Sequence, residues 1–356
     1  MQKHKTMSQT TKLHYLALTF IILSSTTHQS LNQNHISSTI NPYNFLHIIP
    51  NSNGMITRIT QFFPTVPPNT SHDLSYSKDT IINPLKNTWV RTYLPLNYLD
   101  LTRFMKIPII VYVHGGGFIE LSAATPNFDR FCAHAAMYLG VIVVSVEYRL
   151  SPENRLPAAY DDVLEALYWL RDGNDEWVGS YGDVSKCVIM GESAGGNIAY
   201  MVGLKASRFI KRDAFSPLVI KGLVLIQPFF GGVRRSGSEL RLDNSGGIPL
   251  VVADLMWNLS LPIGVNRDYF YCNPFSGDGL GQVRGIRELG WRVAVVGCDG
   301  DSLFDRQVEL VEWLRKLGVN VIGDFSKGKY HGVFVNDYAI SELFFEFVKS
   351  VFSDVL

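Results

Sequence analysis

The chain has 356 residues, too many for one minimal core and suited to one large α/β domain or two ordinary ones. A hydrophobic share of 46% with 18% charged residues describes a globular chain, neither disordered nor membrane-spanning. The 32 Lys and Arg cancel the 32 Asp and Glu, which excludes the basic footprint of a nucleic-acid binder and favours a neutral or weakly charged small substrate. Cys132, Cys187, Cys272 and Cys298 form no Cys-x-x-Cys pair and read as reduced core thiols.

Residues 1–40 are polar and rich in Ser, Thr, Asn and Gln, a tail by composition. Lys3, Lys5 and Lys12 precede an apolar run, Leu13 to Leu23, that His14 and Thr19 interrupt and that is too short to span a bilayer. It reads as part of a disordered tail, with a weak signal peptide over residues 1 to about 27 as the alternative. The expected location is accordingly cytoplasmic, or secreted in the second case.

Prolines 42, 50, 64, 67 and 68 forbid a long helix over 41–80, which is expected to be irregular. The run Ile109 to Val113 is β-branched and continuously apolar, as in a strand buried on both faces. A helix over Asn127 to Leu139 stops at Gly140, and a strand follows from Val141 to Val146. Next come a helix (Tyr160 to Leu170), a strand (Lys186 to Met190), a helix (Gly195 to Ala206) and strands at Leu223 to Ile226 and Trp291 to Val296. A helix over Asp305 to Leu317 closed by Gly318, a strand from Val319 to Phe325 and a helix over Ser341 to Val351 complete the series. This alternation predicts an α/β fold with a mostly parallel sheet covered on both faces. The interval 228–270 breaks it with glycines, prolines and one amphipathic helix around Val251 to Leu259, as a lid would.

Gly191-Glu-Ser-Ala-Gly195 fits Gly-x-Ser-x-Gly between a predicted strand and a predicted helix, a turn that projects the Ser193 hydroxyl from the sheet. His114-Gly-Gly-Gly117 directly follows the 109–113 strand. Consecutive glycines let backbone N–H groups approach a substrate oxygen, forming an oxyanion hole with the N–H of Ala194. His114 itself reads as a loop anchor. Where this turn carries the nucleophile the order is serine, acid, histidine, and His331 is the one histidine after Ser193. The acid belongs to Gly297-Cys-Asp-Gly-Asp-Ser-Leu-Phe-Asp305, which offers Asp299, Asp301 and Asp305. Asp305 stands three residues after Ser302, at capping-box spacing. Between Asp299 and Asp301, spacing barely decides.

Taken together, His114–Gly117, Tyr148-Arg-Leu-Ser-Pro-Glu153, Arg155-Leu-Pro-Ala-Ala-Tyr-Asp-Asp162, Gly191–Asn197 and Gly297–Arg306 resemble plant carboxylesterases. That is the hormone-sensitive-lipase-like branch of the α/β-hydrolase fold. The resemblance covers roughly residues 42–350 and includes Asn41-Pro-Tyr, Thr57-Arg58 and Glu239-Leu-Arg241. It implies a cofactor-free esterase, monomeric or homodimeric, with one catalytic domain over 41–356 and cap elements at about 41–70 and 228–270. It places the acid at the head of Asp301-Ser302-Leu303 and makes Gly115 and Gly116, with Ala194, the oxyanion donors. Relatives usually carry proline where Ser302 stands and an apolar residue where Glu120 stands.

The expected reaction is hydrolysis of a carboxylic ester of a small, neutral or amine-bearing molecule through an acyl-enzyme on Ser193, with His331 as base and Asp301 as its orienter. Gly117 and Glu120 are the candidate substrate-binding residues, a solvent-exposed carboxylate being the alternative for Glu120. No zinc or phosphate-loop motif is present, so neither metal nor nucleotide is implied, and no nucleic acid or stable membrane span is expected. Two other readings share the scaffold: a gibberellin-receptor-like binding module, a branch marked by loss of the histidine, and a lyase or cyclase of plant specialised metabolism.

Overall fold

The computed structural model describes residues 40–356, apart from 70–73, 97–104, 174, 211–213, 244–246 and 278. The tail expected over 1–40 lies almost wholly outside them. Asn41 caps a single helical turn, Pro42–Phe45, by accepting from the N–H groups of Tyr43 and Asn44. A short antiparallel hairpin of β1 (Ile48–Pro50) and β2 (Ile56–Arg58) follows.

The main sheet contains β3 (Ser75–Asn83), β4 (Thr88–Pro95), β5 (Ile107–Val113), β6 (Ile142–Glu147), β7 (Gly182–Glu192), β8 (Ile220–Ile226), β9 (Arg292–Cys298) and β10 (Asn320–Ser326). Their spatial order is β10-β9-β8-β7-β5-β6-β4-β3. β4 pairs antiparallel with both β3 and β6, and the remaining pairs are parallel. The order reverses around β5, which lies between β6 and β7, and ligands of open α/β sheets bind outside the carboxyl ends of strands at such a reversal. The glycine loop leaves the end of β5 and Ser193 the end of β7.

Each central strand is apolar on both faces because each face meets its own core. Ile109, Val111, Val113, Ile189, Leu223 and Val293 face one cluster, which includes side chains of the helices Ala158–Arg171, Ala194–Ile210 and Phe304–Lys316. The alternate residues Ile110, Tyr112, Val188, Met190, Val224 and Ala294 face the other, under the helices Pro126–Leu139 and Tyr338–Val351. Gly140 and Gly318 close two of these helices at positive φ, 67° and 77°, as their sequence positions predict. All four cysteines are free and buried. Among the described residues no helix is long and apolar enough to cross a membrane.

The expectation of an irregular 41–80 needs correction, since the β1–β2 hairpin and most of β3 lie there, and β4 follows unannounced. Short strands tolerate the prolines that exclude a long helix, and charges break the apolar pattern of β3 and β4. Arg91 of β4 is only 1% exposed. Its guanidinium donates to both Asp79 carboxylate oxygens at 2.7 and 2.8 Å and to Asp129 at 3.0 Å, while the Tyr93 hydroxyl donates to Asp129 at 2.8 Å. This buried pairing joins the antiparallel edge of the sheet to the helix Pro126–Leu139.

Arg91→Met should therefore lower stability by about 3–5 kcal/mol, because it removes the cation that two carboxylates share. Chemical denaturation of the purified variant measures this, and a loss within about 0.5 kcal/mol of zero would contradict it.

Candidate active site

Ser193 sits between β7 and the helix Ala194–Ile210 at φ +55°, in the left-handed region that costs most side chains energy. The flanking glycines make this turn feasible. A Cβ at Gly191 would lie 2.1 Å from the Gly195 carbonyl oxygen, and one at Gly195 would lie 2.0 Å from that of Val113. The Ser193 N–H donates to Ile226 O at 2.8 Å, and its carbonyl accepts from Asn197 and Phe229 at 3.1 and 2.9 Å.

The His331 loop follows β10 and brings Nε2 to 2.9 Å from Ser193 Oγ and Nδ1 to 2.9 Å from Asp301 Oδ2. Asp301 is fully buried. Its Oδ2 also accepts from the side-chain amides of Gln227 (3.0 Å) and Gln307 (2.8 Å), and its Oδ1 from the Leu303 N–H at 3.0 Å. Burial alone pulls the His331 pKa down. The charge and hydrogen bond of Asp301, helped by Glu192, outweigh burial and raise it above the ordinary histidine value.

Three aspartates were open in the acid loop, and the structure brings only Asp301 to His331. Asp299 instead accepts from the Gly328 N–H at 2.6 Å and braces the turn after β10. The capping-box reading of Asp305 is corrected: the helix cap is Leu303, without a side-chain hydrogen bond. Asp305 Oδ2 accepts from the Ser238 N–H at 2.7 Å, so it serves the start of the short helix Gly237–Leu242 across the loop. Ser302 donates to Ile248 O at 3.1 Å and its carbonyl accepts from Ser238 Oγ at 2.8 Å. Ser302 thus ties the acid loop to the 228–270 interval.

His114 is fully buried, its Nδ1 is 2.8 Å from Gly115 O, and its ring stacks on Tyr148 at 4.3 Å. Burial pushes its pKa down to about 4, so it anchors the loop as a neutral ring. The Tyr148 hydroxyl supports the same loop by donating to His114 O and Gly115 O at 3.1 and 3.2 Å. Gly116 and Gly117 adopt φ of 104° and 60°, conformations open mainly to glycine. Ala194 is the first residue of its helix, so its N–H has no partner within that helix. Gly115 lies against Glu192, the residue before Ser193, so the start of the glycine loop runs beside the serine turn. The helix Leu250–Ser260 lies over Gly117, where a Cβ would meet Met256 Sδ at 2.4 Å, and Trp257 packs on Phe118 and Phe229 at 5.3 and 4.7 Å.

Glu120 is half-buried, not solvent-exposed, and none of the contacts among the described residues joins its carboxyl to Ser193 or His331. Its N–H donates to Gly116 O at 3.0 Å. Burial raises its pKa to about 8 against the opposing pull of Arg58, so it is mostly protonated at neutral pH.

Two residues were not singled out by the sequence: Gln227 carries no motif, and Glu192 stands at the variable position of Gly191–Gly195. Gln227, at φ +43°, bonds Asp301, donates to Tyr330 O at 3.2 Å and accepts from the Gly332 N–H at 2.8 Å. It clamps the histidine loop on both sides of His331. Glu192 brings Oε1 to 3.7 Å from His331 Nε2. The position of Gln227, directly after a strand end, was the one available signal.

A family profile described as the alpha/beta hydrolase fold matches residues 110–335. Carboxylesterase 20 of Arabidopsis thaliana is 43% identical over 325 residues, 90% of this chain and 99% of that one. The 3-O-acetylpapaveroxine carboxylesterase CXE1 of Papaver somniferum is 43% identical over 320 residues, 86% of this chain and 96% of its own. Among solved structures, the thermostable carboxylesterase EstE1 from a metagenomic library superposes with a TM-score of 0.65 at 24% identity, over 80% of this chain and 91% of that one, a likeness of fold.

The three aspartates should separate experimentally. Asp301→Asn should keep the fold and cut kcat by about 10⁴-fold, because an amide favours the wrong imidazole tautomer. Asp305→Ala should cost about 1–2 kcal/mol of stability with kcat nearly unchanged. Asp299→Asn keeps an acceptor for Gly328 and should do little of either. Measuring kcat and Tm for all three decides, and an inactive Asp299→Asn would withdraw Asp301.

Proposed function

The chain belongs to the plant carboxylesterases of the α/β-hydrolase fold, and we propose that it hydrolyses an O-acyl ester of a small molecule through Ser193, His331 and Asp301. The observation that carries this reading is the unbroken line from Ser193 Oγ through both His331 nitrogens to Asp301, at 2.9 Å on each side. Ser193 Oγ attacks the ester carbonyl while His331 Nε2 takes its proton. Negative charge develops on the carbonyl oxygen, where the N–H groups of Gly115, Gly116 and Ala194 receive it. As the tetrahedral intermediate collapses, His331 returns the proton to the leaving alcohol. A water then repeats the sequence on the acyl-enzyme, and Asp301 holds the ring in one tautomer throughout.

The relative from Papaver somniferum is named for a 3-O-acetyl ester, and Phe229, whose N–H bonds Ser193 O, belongs to an apolar cluster with Phe118 and Trp257 next to the serine turn. Both support a short, uncharged acyl group such as acetyl. The alcohol is a neutral or amine-bearing molecule. The presence of His331 within reach of Ser193 supports hydrolysis over a receptor-like role, which has no use for a general base.

Ser193→Ala should abolish covalent organophosphate labelling and lower kcat on short p-nitrophenyl esters by about 10⁴-fold or more, and His331→Ala should be comparably severe. The double variant should be hardly worse than either single one, since the pair acts as a unit. Full labelling of Ser193→Ala would sink the reading.

Glu120, if it meets the alcohol, does so uncharged at pH 7. Glu120→Gln should leave the preference between a quaternary-ammonium ester and its neutral isostere unchanged at pH 7, and reduce it above its own pKa of about 8. Equal ratios across this whole range would remove Glu120 from the substrate site.

A further inference from the structure

Glu192 fills the variable position before the nucleophile, and its side chain turns under the glycine loop, where it is 6% exposed. Oε1 lies 3.7 Å from His331 Nε2, the nitrogen that also meets Ser193 Oγ. On the other side its carboxylate occupies the space left by Gly115, where a Cβ would lie 2.1 Å from Oε2. The triad mechanism as usually drawn gives this carboxylate no task, yet burying one is costly without a compensating partner.

The charges acting on it are few. Burial raises the Glu192 pKa to about 7; His331 draws it down and Asp301 pushes it up. Tyr112 on β5 and Tyr148 after β6 also face it, both held far above their ordinary range by burial and therefore neutral. His114, stacked on Tyr148, is neutral as well. The overlying helix Leu250–Ser260 contributes the uncharged Met256 above Gly117. Glu147, raised by burial to about 7, is engaged by the Ser122 hydroxyl and the Ala123 N–H at 2.9 and 2.7 Å. The imidazolium of His331 is thus the cation placed to meet ionised Glu192.

We propose that Glu192 is a second carboxylate for His331, acting on the Nε2 side as Asp301 acts on the Nδ1 side, and stabilising the imidazolium that forms when Ser193 gives up its proton. No bond to Glu192 forms or breaks. The Ser193 proton moves to Nε2, the Oγ electron pair forms the bond to the ester carbon, and the carbonyl π pair moves to oxygen. Glu192 is a positioning residue, acting through His331 and not on the substrate. Its charge also lies behind Gly115, where it opposes the oxyanion, so its benefit is confined to the pH range in which it is ionised together with the imidazolium. The two groups therefore titrate as a pair.

This inference rests on the esterase reading for its kinetic consequence but not for its electrostatic one. His331 must be neutral to accept a proton, so kcat/KM falls as pH drops through its pKa. Glu192→Gln removes a negative charge near Nε2 and should move that acid limb to lower pH by about one unit or more. It should also lower the plateau kcat about tenfold with KM little changed, because the imidazolium of the transition state loses a partner. Glu192→Asp, which keeps the charge, should leave the limb closer to its wild-type position, and Glu147→Gln should not move it. An NMR titration of His331 in the resting protein reads the same shift without turnover. A chain that hydrolyses no ester would sink the esterase reading while this titration still reports on Glu192. An acid limb and a His331 titration that stay in place in folded Glu192→Gln, or move upward, would overturn the proposal.

Discussion

The site exists because two stretches of backbone approach more closely than any side chain allows. The first turn of the helix after Ser193 runs beneath the end of β5, and a Cβ at Gly195 would lie 2.0 Å from Val113 O and 2.5 Å from His114 O. The glycine loop begins at those same carbonyls. The absence of one side chain therefore brings the start of the glycine loop and the Ser193 turn together. Parallel pairing of β5 and β7, with Val113 opposite Gly191, fixes their relative height. An alanine at Gly195 would have to part the helix from the strand, which would separate the two halves of the chemistry before it affected anything else.

Around this contact the remaining parts are held by polar groups drawn from distant sequence. Arg58 on the β1–β2 hairpin donates to Ile119 O at 2.8 Å and Ser151 O at 2.7 Å while pairing with Glu153, so it ties the glycine loop to the segment after Tyr148. Arg155 donates to Asn258 O and Leu261 O at 2.6 and 2.7 Å and so holds the end of the helix over the site. Gln227 fixes the histidine loop, and Ser302 with Asp305 fixes the acid loop against residues 238 and 248. Reacting groups on loops are only as well placed as such supports make them.

Carboxyl groups dominate the electrostatics. Glu192 and Asp301 approach His331, while Glu147 lies 3.7 Å from His114 Nε2 and Glu120 follows the glycine loop; burial raises Glu120, Glu147 and Glu192 to about 8, 7 and 7. Near neutral pH Glu192 is partly protonated, which limits its repulsion of Asp301. It also makes the field at His331 depend on pH through Glu192 as well as through the histidine itself. Asp301 differs in receiving four hydrogen bonds, two from glutamine amides, one from a backbone N–H and one from His331. That shell fixes the orientation of the carboxylate toward the imidazole.

By itself the sequence determined what is local or ordered along the chain. The central strands announce themselves as continuous apolar runs because both faces are buried, and Gly140 and Gly318 mark helix ends because they alone tolerate positive φ there. The glycine loop, the Gly191–Gly195 turn and the solitary downstream His331 name themselves by residue type and order. Tertiary structure decided whatever depends on a partner far away in the chain. Charged residues hid β3 and β4 because Arg91 finds Asp129 only once the helix has docked. The acid loop remained ambiguous because Asp299, Asp301 and Asp305 share one composition, and only folding sends them to Gly328, His331 and Ser238. Gln227 carries no motif and Glu192 fills a position the motif leaves open; a strand end gives one its place and the void beside Gly115 gives the other. Local pattern reports the conformation of a segment, whereas hydrogen bonds and burial across the fold decide which group its side chains meet.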